Sequence, residues 1–145
     1  MTITSNYVQP VRIMLVEDNP GDAILTEEAF HDSKLSVTME TFDTAEAALN
    51  NLRDPIYPYP DLILMDINLP AMTGLEALTI IKEDIKLKKI PVVVLTTSSA
   101  DQDVLEAYDH HANCYITKPV KFEAFQEVMK SLEDFWFTIV KLPKG

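Results

Sequence analysis

Residues Leu62 to Pro70 read LILMDINLP. Four consecutive apolar side chains leave no polar face, which predicts a strand covered on both sides, as in a parallel sheet packed between helices. The run then meets the carboxylate of Asp66 and, two positions later, Asn68 and a turn. Burying an ionised carboxylate without a partner is costly. What the fold brings to Asp66 therefore decides what the chain can do.

On either side of that stretch, short apolar runs alternate with longer amphipathic ones, with no internal repeat or low-complexity tract. VRIMLV (Val11 to Val16), SVTMETF (Ser36 to Phe42), DLILM (Asp61 to Met65), PVVVL (Pro91 to Leu95) and CYIT (Cys114 to Thr117) predict five strands. Helices are predicted over Pro20 to Asp32, Thr44 to Arg53, Gly74 to Lys86, Ala100 to His111, and from Phe122 towards Ile139. Asn19 then Pro20 makes a good helix start: a capping side chain precedes a residue whose missing N–H is not needed there. The alternation predicts an α/β domain, a doubly wound five-stranded parallel sheet joined by right-handed crossovers. In such folds ligands sit outside the carboxyl ends of the strands, where strand order reverses.

At 145 residues and 47% apolar content, the chain suits one domain with a proper core. We expect a polar tail over residues 1–10, the domain over 11–134 and an extension of the last helix over 135–145. Twenty-three acidic residues against twelve Lys and Arg give a net charge of -11, so the basic patch that nucleic acid needs is missing. The single cysteine, Cys114, has no internal disulfide partner, and neither a signal-peptide pattern nor a membrane-length apolar run is present. A soluble cytoplasmic protein, binding neither nucleic acid nor membrane, is expected.

The residues that close the strands are Glu17 and Asp18, then Asp66, then Thr96 and Thr97, then Lys118 and Pro119. Singly, each has an ordinary explanation as a helix cap, a strand end or a surface charge. Together they place three carboxylates, a hydroxyl and an ammonium on one rim. Carboxylates so close raise one another's pKa unless a cation joins them. Mg²⁺ suits such a site, taking one or two carboxylates and completing its shell with water and phosphate oxygens, whereas zinc would want softer ligands. A strand-end carboxylate can act as nucleophile towards a phosphoryl group, with Lys118 pairing one transferring oxygen and Thr96 donating to the product.

At this point VEDNP (Val16 to Pro20), DINLPAMTG (Asp66 to Gly74), LTTS (Leu95 to Ser98) and YITKP (Tyr115 to Pro119) resemble the receiver domain of two-component response regulators over essentially the whole chain. The resemblance implies a flavodoxin-like strand order 2-1-3-4-5 with five helices. It implies that Asp66 accepts a phosphoryl group from a histidine kinase, without the chain being a metabolic enzyme. Mg²⁺ would be held by Asp18, Asp66, the backbone carbonyl of Asn68, and Glu17 through water. Thr96 and Tyr115 would form the switch, Lys118 would pair with the phosphoryl oxygens, and the Lys118–Pro119 bond would be cis. Leu69 and Glu17 depart from the family's commonest residues, Met and Asp, without removing a needed group. HANCYITKPV (His111 to Val120) with SLEDFWFTIVKLP (Ser131 to Pro143) is similar to the single-domain regulators serving phytochromes, the light-sensing kinases of cyanobacteria and other bacteria.

Rival readings make different demands. A dehalogenase-like phosphatase wants a second acid two positions after its nucleophile, where this chain has Asn68. A receiver-fold module signalling by binding alone would have no use for Asp18, Asp66, Thr96 and Lys118 together. A flavin binder would want a loop rich in Ser, Thr and Gly after the first strand. His110, His111 and Cys114 match no tetrahedral metal framework, and proline-rich PIYPYPD (Pro55 to Asp61) is expected to shape the loop into the third strand. Phe135, Trp136, Phe137, Ile139, Val140, Leu142 and Pro143 exceed what one buried stripe requires, which predicts a homodimer built on the last helix and its extension.

Overall fold

The structure, a computed structural model, describes residues 10–33, 36–96 and 114–130. Its strands are β1 (Val11–Val16), β2 (Val37–Phe42), β3 (Leu62–Asp66), β4 (Val92–Thr96) and β5 (Cys114–Thr117). They form one parallel sheet in the order β2-β1-β3-β4-β5. Four helices are found among the described residues: α1 (Pro20–His31), α2 (Ala45–Arg53), α3 (Gly74–Glu83) and α4 (Phe122–Lys130). The helix expected over Ala100 to His111, the His110 and His111 pair, Thr97 and the segment 135–145 lie outside the described residues.

The strands alternate their apolar side chains between two cores, which is why they read as unbroken hydrophobic runs. Met14, Val16, Ile63, Met65, Val92 and Val94 face Leu49 and Leu52 of α2 and Leu78 and Ile81 of α3. Ile13, Leu15, Leu62, Leu64, Val93, Leu95 and Ile116 face Phe30 of α1 and Phe125 of α4. Phe30 meets Phe125 edge-on at 4.9 Å between ring centroids and Phe122 at 5.5 Å, so aromatic packing fixes α1 against α4.

Local chemistry sets the helix ends. The Asn19 side chain accepts from the Asp22 amide at 3.0 Å, and Thr44 caps α2 through the Ala47 amide at 3.1 Å. Thr73 and Glu76 form a reciprocal capping box on α3. α3 ends three residues before the expected Lys86. The Asp84 carboxylate there accepts from the Lys86 and Leu87 amides at 2.8 and 3.2 Å, offering the backbone a turn instead of another helical step. Ile85, counted into the helix by its apolar spacing, is 79% exposed. The proline-rich segment leads into β3 as expected, with Asp61 stitched to β1 by its own amide and by its carboxylate on the Arg12 amide. It lies at the opposite end of the strands from Asp66.

Strand order reverses between β1 and β3, so the crevice of this sheet opens at the carboxyl ends of those two neighbours.

Candidate functional site

Glu17 and Asp18 follow β1 directly, Asp66 closes β3, and Thr96 closes β4. Lys118 follows β5, and its amide donates to the Thr96 carbonyl at 2.7 Å, which fixes its backbone against β4. The bond from Lys118 to Pro119 is cis. The Lys118 Nζ reaches back into the crevice and lies 3.0 Å from Glu17 Oε1, 3.0 Å from Asp22 Oδ2 and 3.1 Å from Asp66 Oδ2. An ammonium has three hydrogens to donate, and here three carboxylates take them.

The other oxygens of the buried acids are held by backbone. Asp66 Oδ1 accepts from the Asn68 amide at 3.1 Å, and Glu17 Oε2 accepts from the Asn19 amide at 3.3 Å. Glu17 and Asp66 are buried, whereas Asp18 is exposed. Carboxylate oxygens of Glu17, Asp18 and Asp66 all lie within 4.8 Å of one another. The set contains hard oxygen donors and no thiolate or imidazole, so it fits a hard divalent cation.

Burial pushes the Glu17 carboxyl up to about 7, the hydrogen bond and charge of Asp66 add to the rise, and Lys118 and the Asn19 amide oppose it. Lys118 is displaced the other way: burial lowers its pKa, but the bonds to Asp22, Glu17 and Asp66 outweigh this and raise it overall. The Glu17 shift has a stability consequence. Between its ordinary value of 4.5 and about 7, the folded chain keeps a proton that the unfolded chain has released, so stability falls as pH rises across that window and levels off above it. Urea unfolding of metal-free protein at pH 5 and pH 7.5 should show a loss on the order of 2 kcal/mol from this group. Glu17→Gln should remove that loss; an unchanged pH dependence in the variant would assign it elsewhere.

Thr96 is buried, and its Oγ1 has no hydrogen-bond partner among the described residues. Buried hydroxyls are seldom left so, because an unmet donor costs about 1–3 kcal/mol. A donor at the end of β4, one strand from Asp66, is poised for an acceptor arriving at the crevice. Tyr115 stands on β5 opposite Val94 and is 38% exposed.

Two features of the site carried no sequence expectation. Asp22 had none, since an acid in a first helical turn is explained by the helix dipole alone, and its partner Lys118 is 96 positions away. Gly74 is the other. A Cβ there would overlap the carbonyl oxygen of Asp66 and come within 2.9 Å of the Ile67 Cα, while its amide donates to the Ile67 carbonyl at 3.1 Å. No side chain fits at that position without moving the main chain of Asp66. The loop between them makes its return through Ala71, whose φ of 61° lies in the left-handed region.

A parallel sheet ordered 2-1-3-4-5, with an acidic crevice at its reversal and a lysine reaching in from the last strand, defines a response regulator receiver. Residues 13–130 match the response regulator receiver domain family, and the chain belongs to it. It is a signalling family, and this member is related to phytochrome response regulators. The chain is 38% identical to response regulator Rcp1 of Synechocystis sp. over 138 residues, covering 92% of this chain and 94% of that protein. It is also 38% identical to the probable methanogenesis regulatory protein FilR2 of Methanothrix harundinacea over 130 residues, 88% of this chain and 84% of that protein. Among solved structures, the phosphorylated cyanobacterial phytochrome response regulator RcpA superposes with a TM-score of 0.74 at 42% identity, covering 94% of this chain and 100% of that one. The Mn(2+)-bound form of Rcp1 gives 0.73 at 39%, covering 93% and 100%. No helix among the described residues is long and apolar enough to cross a membrane.

Proposed function

We propose that the chain is a response regulator whose Asp66 takes a phosphoryl group from the phosphohistidine of a phytochrome-type sensor kinase and signals through the resulting change of shape. One observation carries this reading: a buried carboxylate at the end of a central strand, bonded to Lys118 and within ligand distance of Glu17 and Asp18. Asp66 attacks phosphorus, the nitrogen–phosphorus bond breaks, and an acyl phosphate forms while the imidazole leaves. Asp18, Asp66, the Asn68 carbonyl and Glu17 would hold Mg²⁺, which neutralises charge on the phosphoryl oxygens. The Mn(2+)-bound form of Rcp1 supports a divalent ion at such a site, and the phytochrome assignment rests on RcpA and Rcp1 as relatives.

Lys118 pairs with a phosphoryl oxygen, the unmet Thr96 hydroxyl donates to another, and Tyr115 repacks on β5, so the surface around β5 changes its affinity for a partner. The kinase approaches the crevice from the side where α1 begins, where Ile24 and Leu25 are 53% and 49% exposed. Intact mass after incubation with acetyl phosphate and Mg²⁺ tests the chemistry. One metal-dependent phosphoryl adduct is expected, and no adduct from either acetyl phosphate or a phytochrome kinase overturns it. Self-association through 135–145 belongs to the same reading. Light scattering should give a dimer that becomes a monomer when the chain is cut after Asp134, and a monomer at high concentration in both phosphorylation states would refute it.

A further inference from the structure

We propose that Asp22 is a positioning residue that keeps the Lys118 ammonium compensated while a divalent cation takes Glu17 and Asp66. The inference rests on the reading of the crevice as a cation and phosphoryl site. Lys118 donates to three carboxylates, and two of them, Glu17 and Asp66, belong to the cluster that would hold the cation. A metal entering that cluster draws both away from the ammonium and sets two cations side by side. Asp22 alone of the three stands outside the cluster, and its side chain is the most exposed, at 38% against 0% and 4%. Its bond to Lys118 is the one that survives the exchange. The ammonium then pivots on Asp22 and turns a freed hydrogen towards the incoming phosphoryl oxygen.

Backbone chemistry makes Asp22 a firm pivot. Its amide is capped by the Asn19 side chain at 3.0 Å and its carbonyl accepts from the buried Thr26 hydroxyl at 2.9 Å. The Asn19 amide in turn donates to Glu17, so the first turn of α1 ties the pivot to the acid that the cation requires. Without the Asp22 charge, the ammonium falls back on Glu17 and Asp66 and competes with the metal for both.

A double-mutant cycle on the full chain separates this from a general field effect. Calorimetric Mg²⁺ titration of wild type, Asp22→Asn, Lys118→Met and the double variant should show Asp22→Asn weakening binding about five-fold in the wild-type background. It should have little effect where Lys118 is Met. An equal loss in both backgrounds, or none in either, overturns the proposal. Failure of wild type to bind Mg²⁺ would count against the function reading instead. In that case the ¹⁵N resonance of the Lys118 ammonium still decides for Asp22: in metal-free protein it should shift and exchange faster in Asp22→Asn, and an unchanged signal overturns the pivot.

Discussion

Asp66→Asn should take up no phosphoryl group from acetyl phosphate or from a kinase, while its metal-free form unfolds at a slightly higher temperature than wild type. The loss is complete because an amide oxygen is not a nucleophile of carboxylate strength and would form no acyl phosphate. The gain follows from charge. One ammonium faces three carboxylates within 3.1 Å, and removing one anion from that excess relieves repulsion. Asn retains one oxygen, which can accept from the Asn68 amide or from Lys118 but not from both, so the gain is what remains after one of these two bonds is given up. The expected gain is about 1 kcal/mol, roughly 3 °C for a chain of this size. Intact mass and thermal unfolding together check it. Wild-type rates of uptake in the variant would place the acceptor elsewhere, and a large drop in Tm would mean that Asp66 serves the fold first.

Lys118→Met should have the opposite stability effect. With the ammonium gone, Glu17 and Asp66 remain buried at the crevice with no cation between them. Leaving buried charge uncompensated is far costlier than the intact pair is helpful, so we expect a loss of about 3 kcal/mol in metal-free protein. That is roughly 10 °C in Tm. Mg²⁺ should recover most of it, because an ion that binds only the folded chain at a hundred times its Kd stabilises by about 2.7 kcal/mol. Phosphoryl uptake should persist, but the response of the β5 surface should fail, since no ammonium remains to follow the phosphoryl oxygens. Thermal scans with and without Mg²⁺ test the first part, and Tyr115 ring resonances before and after phosphorylation test the second. A metal-free Tm equal to wild type would mean that Lys118 is not what holds the two acids.

The strands were legible because their side chains have two apolar faces to serve, and an unbroken run such as LILM has no other use in a chain of this size. The start of α1 was legible too, since Asn19 before Pro20 announces itself by capping chemistry. Thr44, by contrast, was counted into its helix and proves to be the cap before it, and the cap Thr73 carried no expectation. The end of α3 was not legible. The expected helix ran through Ile85 to Lys86, whereas the short carboxylate of Asp84 had the stronger claim on the Lys86 and Leu87 amides. Strand-end position was enough to gather Glu17, Asp18, Asp66, Thr96 and Lys118 on one rim. It did not distinguish Glu17 from Asp18, which are consecutive in the chain, one buried and one exposed. Asp22 was hidden for a different reason: its significance is a pairing across the fold, and nothing local marks it.

Gly74 bears on how a phosphoryl group is felt at a distance. Its main chain touches that of Asp66 with no side chain between them, so β3 and the head of α3 behave as one stiff abutment. A load applied at the Asp66 carboxylate finds no slack on that flank. On the other flank the Thr96 hydroxyl has no partner among the described residues. Under the function proposed above, the push of a phosphoryl group would therefore be relieved on one side only, towards β5.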